Sequence, residues 1–218
     1  MQFDILTIFP QILDSYFNES ILGRGQKKKL LKVKTHDLRK VTKDKHKTVD
    51  DKPYGGGAGM VMMVEPIYKT LKKIKHKKKS KVILLDPKGK QFDQKMAKNF
   101  SKLDQLILIC GRYEGMDARV EKFVDERVSV GPYILSGGEL GAGIIVEAVA
   151  RLIPKVLGNQ KSLEEETFNT ENSKEYPQYT RPEIFEYRER GKKKKLKVPS
   201  VLLSGNHMEI KNWRKKNS

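Results

Sequence analysis

The chain has 218 residues, room for one large domain or a domain with a small appendage, and 45 Lys and Arg against 27 Asp and Glu leave a formal charge of +18. No run approaches the ~18 apolar residues of a membrane span, and Met1 to Pro10 lacks the charged-then-apolar pattern of a signal peptide, so a cytoplasmic protein with no membrane partner is expected. The single cysteine, Cys110, excludes disulfide frameworks and Cys-rich zinc sites, and its place after Leu106-Ile107-Leu108-Ile109 reads as a small buried side chain.

In chain order, Phe3 to Phe9 is an apolar run stopped by Pro10 and predicts a buried strand, and Leu30 to Thr35 predicts a second. Residues 40–60 form a long polar and glycine-rich loop, a length that is unusual in a compact domain unless it serves function. Glu65-Pro66 opens a helix with Ile67, Leu71 and Ile74 at helical spacing. Val82 to Leu85 predicts a strand ending in the turn Asp86-Pro87-Lys88-Gly89, Gln91 to Phe100 a helix, and Leu106 to Cys110 another buried strand. A short helix over Asp117 to Phe123, a strand over Arg127 to Val130 and an extended Tyr133-Ile134-Leu135 follow. Glu139 to Ile153 is the most apolar helix, with Ile144, Ile145, Ala148, Val149 and Leu152 expected inward. Residues 155–180 read as a linker or loop, Arg181-Pro182 as the start of a helix to about Arg190, and Asn206 to Glu209 as the capped start of a final helix with Trp213.

Apolar strands alternating with helices predict an α/β domain with a mainly parallel sheet, whose ligands bind at loops beyond the strand carboxyl ends. The charge is uneven: residues 1–80 carry +11, residues 81–160 only +2 and residues 161–218 +5. The near-neutral centre suits a small-molecule pocket and the basic flanks suit a polyanion. With 35 Lys to 10 Arg, part of the excess reads as solvated surface, notably Lys77-Lys78-Lys79 and Lys192 to Lys195.

The common dinucleotide and nucleotide-triphosphate loops are absent, the four histidines show no metal-ligand spacing, and neither Ser136 nor Ser204 lies in a nucleophile elbow. Gly55-Gly56-Gly57-Ala58-Gly59 lets backbone approach a ligand, with Lys45, His46, Lys47 and Lys52 nearby to meet phosphates. Gly111, directly after a buried strand, and Val130 to Leu135 can form an apolar slot rimmed by backbone polar groups, suited to a flat heterocycle.

Seven blocks in series carry a resemblance: Lys45-His46; Thr48-Val49-Asp50-Asp51; Pro53 to Met60; Cys110 to Gly115; Tyr133 to Leu140; Tyr179-Thr180-Arg181-Pro182; and Leu203 to His207. Together, and from Phe9-Pro10 to Trp213-Arg214, they resemble the bacterial tRNA (guanine-N1)-methyltransferases that act at position 37, a branch of the SPOUT superfamily. The resemblance implies an α/β fold with a deep trefoil knot, S-adenosylmethionine as cofactor, tRNA with guanosine at position 37 as substrate, and a homodimer. It implies a knotted domain over residues 1–160, a flexible linker over 161–177 that carries the base, and a small, shortened helical tRNA-binding domain over 178–218.

Carried over position by position, the cofactor residues are Gly111, Val130, Gly131, Pro132, Tyr133, Ile134 and Leu135, with Pro87, Glu114 and Gly138 nearby. His46, Gly57 and Gly59 lie against the tRNA, Arg151 matches the active-site arginine, and Glu166 stands where the family has its catalytic aspartate. The residue types suit the chemistry, since a carboxylate can take the guanine N1 proton and a cation can hold charge on O6. Glu165 is an alternative base. Magnesium is allowed as an assistant through the RNA or the active site, although no carboxylate cluster specifies a metal site. Two departures, glutamate for aspartate and the Lys-rich Arg188 to Lys197 before a chain end at Ser218, motivate a second reading: a non-catalytic basic RNA-binding protein of the same fold. The complete Tyr133 to Leu140 segment favours the enzyme.

Overall fold

The computed structural model describes residues 1–158 and 175–218. The chain divides into two compact units, Met1–Gln160 and Lys161–Ser218.

In the first unit, β1 (Gln2–Thr7), β2 (Lys32–Asp37), β5 (Ser80–Gln91), β6 (Gln105–Cys110) and β7 (Glu126–Ser129) form a five-stranded sheet in the order β2-β1-β6-β5-β7. Every pairing is parallel, and the register runs Phe3 to Leu106 and Ile83 to Leu108. A small antiparallel ribbon of β3 (Asp50–Asp51) and β4 (Val61–Met62) lies in the long loop.

Period-two alternation sends side chains to two separate cores. Phe3, Ile5, Ile83, Leu106, Leu108 and Cys110 pack with residues of α1 (Asp14–Asn18), α2 (Ser20–Lys27), α4 (Gln94–Phe100) and α5 (Glu139–Arg151). Leu6, Leu84, Ile107 and Ile109 pack on the other face with Ile67, Leu71 and Ile74, the apolar side of α3 (Val64–Lys73) and the residue after it. Leu106 to Ile109 are all 0% exposed, and burying each such side chain contributes about 1.5–3 kcal/mol. That is why the central strand is a continuous apolar run rather than an alternating one.

Asp4 is a buried carboxylate within this sheet, with 1% exposure. Its carboxylate accepts from Gln2 and Gln105, both at 2.7 Å, and lies 2.7 Å from His36 Nε2, which must donate because an ionised carboxylate only accepts. Burial pushes the Asp4 carboxyl up, but the hydrogen bonds from His36, Gln105 and Gln2 outweigh it and hold the group below its ordinary value. The resulting stability is complete above the usual carboxylate pKa of ~3.9 and is lost as pH falls through the lower folded value. Asp4→Ala strands these donors and should cost about 3 kcal/mol in urea unfolding at pH 7. The difference from the parent should shrink as pH falls below the usual carboxylate range; a gap independent of pH would contradict the assignment.

Several expectations need correction. The strand of β5 continues through Asp86-Pro87-Lys88-Gly89, with a register shift between Leu85 and Lys90, so the following helix starts at Gln94. Residues 118–123 are a 3-10 helix. Ile144 is 44% exposed, because α5 buries Ile145 and Val146 against the sheet and turns Leu140 and Ile144 outward.

In the second unit, the expected helix after Pro182 is an antiparallel hairpin of β8 (Ile184–Glu189) and β9 (Lys192–Lys197). Ile184, Phe185 and Tyr187 favour a strand, and Arg190 and Gly191 both take positive φ (48° and 80°) in a two-residue loop of the kind whose twist matches a hairpin. The Lys192 to Lys195 run belongs to β9, where Lys195 pairs with Glu186 at 2.5 Å and Lys194 with Glu189. Asn206 caps α6 (His207–Lys216), as its sequence predicts, and Trp213 meets Tyr179 edge-on at 6.2 Å. The described residues of this unit are therefore not purely helical: a hairpin precedes the 3-10 turn at Ser200–Leu203 and α6.

Candidate active site

Three glycine-bearing segments meet beyond the carboxyl end of β6. The first, Gly111–Gly115, leaves the strand directly. The second, residues 131–138, is joined to it by a hydrogen bond from Gly138 N to Gly111 O (2.9 Å) and by an antiparallel bridge between Arg112 and Gly137. A Cβ on Gly138 would lie 2.8 Å from Cys110 Cα, so only glycine lets this segment sit on the strand end. The third is the long loop: Glu114 N donates to Met60 O (3.0 Å) and Met62 N to Gly115 O (2.9 Å). Gly59 has φ +82° and approaches Glu114 so closely that a Cβ would be 2.6 Å from its Cγ. A strand-end cleft with fixed glycine backbone is thus built by residues nearly 80 positions apart, Gly59 to Gly138.

A buried carboxylate ties the cleft to the sheet. Glu139, 1% exposed at the first turn of α5, accepts from Thr7 Oγ1 (2.7 Å) and from Arg112 Nε (3.0 Å), and its Oε2 also lies 3.0 Å from Arg112 Nη2. The helix start adds its own favourable partial charge. Arg112 covers the Phe9 ring at 4.7 Å, so one ion pair fixes the ends of β1 and β6 and the start of α5. Burial, with the nearby Glu139 charge, pushes the Cys110 thiol well up, and the neutral group is inert as the sequence suggests.

The residues of the expected cofactor slot lie together. Gly111 faces Leu85 O and Met116, and Val130 and Leu85 flank Gly141 of α5. Tyr133 folds back over Gly131 and donates its hydroxyl to Val130 O (3.2 Å). Pro132 and Ile134 are exposed and Leu135 is half-buried. Gly57 and Gly59 share the glycine loop, and His46 is exposed on a preceding turn pinned by Asp44, whose carboxylate accepts from Thr48 N and Oγ1. Those Thr48 hydrogen bonds hold the Asp44 carboxyl below its ordinary value.

Arg151 is not in this cluster. It ends α5, twelve residues beyond Glu139, which at 1.5 Å per residue is about 18 Å along the helix. It follows Leu140 and Ile144 by intervals of 11 and 7, so the three share one helix face. Glu166 and Glu165 lie outside the described residues. Among the described residues no group of three or more His, Cys, Asp or Glu side chains is placed to hold a metal ion, and no helix is long and apolar enough to cross a membrane. Sequence reasoning missed the Thr7–Glu139–Arg112 network, for which an acid heading the most apolar helix was the available signal.

Fold and cleft together define a parallel α/β protein with glycine loops gathered beyond its strand ends. Residues 1–218 match the family described as tRNA (Guanine-1)-methyltransferase TrmD, and the chain belongs to that family. It is 51% identical over 216 residues to a "tRNA (guanine-N(1)-)-methyltransferase" of Dictyoglomus turgidum, a match that covers 99% of this chain and 84% of the relative. Proteins of the same description from Clostridium botulinum and Carboxydothermus hydrogenoformans are 50% and 51% identical, covering this whole chain and 87% and 83% of their own.

Proposed function

We propose that the protein transfers a methyl group from S-adenosylmethionine to N1 of guanosine 37 in tRNA. The observation that carries this reading is the stitched cleft of Gly111–Gly115, residues 131–138 and the Gly59 loop, in a chain half identical to tRNA (guanine-N(1)-)-methyltransferases. The cleft fits the cofactor's chemistry: apolar Leu85, Val130, Tyr133 and Ile134 offer surface to a flat base, glycines admit close backbone approach, and Glu114 supplies a carboxylate for a cationic end. When bound, S-adenosylmethionine supplies an electrophilic methyl group, so the protein needs no covalent nucleophile.

The chain's own residues divide the remaining work. Gly111 and Val130 to Leu135 hold the adenosyl group, while His46, Gly57 and Gly59 face the nucleotide. The Glu166 carboxylate takes the proton from guanine N1, and the Arg151 guanidinium holds the charge that develops on O6. Loss of the proton makes N1 nucleophilic where the methyl arrives, the cation makes that loss easier, and orientation supplies much of the rate.

The same reading includes a homodimer and the knotted threading of the superfamily. Phe9, Ile12, Tyr16, Leu140 and Ile144 are 44–58% exposed, and Leu13 touches Gly143, which brings the first three beside α5. Antiparallel pairing of two copies of α5 over this apolar face sets the partner's helix end, with its arginine, against the cleft from which this chain's Arg151 is separated.

Purified protein with labelled S-adenosylmethionine and a tRNA transcript bearing guanosine at position 37 should incorporate label, and an adenosine at that position should abolish it. Tight tRNA binding without transfer would instead support the non-catalytic reading.

A further inference from the structure

Along one face of β1 and β2, from Gln2 to His36, and against the end of α3 lies a second concavity of about 570 Å³ lined by five lysines, two histidines and one carboxylate. Lys34 comes from β2, and Lys73, Lys75, Lys77 and Lys78 from the end of α3 and the segment after it. None of the five takes part in a salt bridge among the described residues. The one carboxylate of the lining, Asp4, is held by His36, Gln2 and Gln105, and against five lysines it leaves the lining with a strong positive excess.

The lysine segment is held in place rather than loose. The buried Gln105 side chain accepts from Lys77 N (2.8 Å) and donates to Lys75 O (3.3 Å), while Asp104 N donates to Lys79 O (2.9 Å). Like charges fixed in one concavity repel, and an anion relieves that repulsion. The field reaches the amino terminus: burial chiefly, and then Lys77, hold the Met1 ammonium below its ordinary pKa.

We infer that this concavity binds backbone phosphates of the tRNA, a contact separate from the one that presents guanosine 37. It rests on the reading of tRNA as substrate. Lysines act as point charges on phosphate and carry no base-reading fork, so the contact positions RNA without adding sequence preference. Its Lys75–Lys78 wall is anchored on Gln105, the first residue of β6, about 17 Å from the cleft for the five rises of that strand, and therefore contributes affinity and not chemistry.

The test is the triple charge reversal Lys75→Glu, Lys77→Glu and Lys78→Glu, all at exposed positions, with unfolding followed to verify the fold. The tRNA Kd should rise about tenfold or more at moderate salt, and the slope of log Kd against log salt should fall by about 2–3. Affinity for S-adenosylmethionine and kcat at saturating tRNA should hold. An unchanged Kd and slope would overturn the inference, as would an equal loss when Lys27, Lys28 and Lys95 are reversed instead, since net charge alone would then explain the effect. The readout is binding, so a parent protein that binds tRNA but transfers no methyl group would remove the proposed function while leaving the concavity decided by Kd and slope.

Discussion

Glu166→Ala should slow methyl transfer by about 10²–10⁴-fold, the usual contribution of a positioned general base, with the Kd values for tRNA and S-adenosylmethionine held near those of the parent. The guanine N1–H is a weak acid, and N1 becomes nucleophilic only as its proton leaves. A carboxylate at hydrogen-bond distance removes that proton as the methyl arrives, and alanine leaves the task to water. Glu166→Asp, which restores the residue of the family's pattern, should keep most of the rate. Near-normal single-turnover rates in Glu166→Ala would remove the assignment, and a loss confined to Glu165→Ala would move the base one residue.

Glu139→Ala should be the most destabilising single change near the cleft. It deletes the acceptor of Thr7 and the counter-charge of Arg112, whose side chain is 20% exposed, and breaking such a buried pair costs about 3–5 kcal/mol. For a chain of this size that corresponds to a fall in Tm of roughly 10 °C. Gln at this position keeps an acceptor for Thr7 and should lose less. Because Arg112 sits in the segment that begins at Gly111, hydrogen exchange at residues 111–115 should accelerate in the Ala variant and cofactor affinity should weaken with it. An unchanged Tm would show that the network contributes nothing net.

Local signals were read correctly where one physical effect dominates. The run Leu106 to Cys110 is buried on both faces and reads as a strand by composition alone. Asn206 is a helix cap whose side chain accepts from the next two amides it can reach, Met208 and Glu209. The misreadings occur where effects compete. Pro182 suggested a helix start, but the β-favouring Ile184, Phe185 and Tyr187 and the Arg190-Gly191 turn closed a hairpin whose lysines face glutamates. Ile144 reads as core because α5 is apolar on more than one face, and the sequence holds no sign of which face meets the sheet.

The site was legible in part and for a similar reason. Glycine runs after apolar strands signal clefts, and Gly111, Gly59 and the 131–138 segment do converge. Glu139 was invisible because its partner Thr7 is 132 residues away, and Lys77-Lys78-Lys79 read as solvated surface because the anchor of Lys77, Gln105, lies 28 residues on in β6. The +18 charge is accordingly more organised than composition implies: some lysines neutralise glutamates across β8 and β9, and others line one concavity.

The most direct measurement of the central claim is the position and atom of the methyl group in the product. A tRNA transcript with guanosine 37, incubated with the protein and S-adenosylmethionine, digested and read by mass spectrometry, should yield 1-methylguanosine at nucleotide 37 and nowhere else. A methyl group on another nucleotide or another atom, or none at all with tRNA bound, would contradict the account.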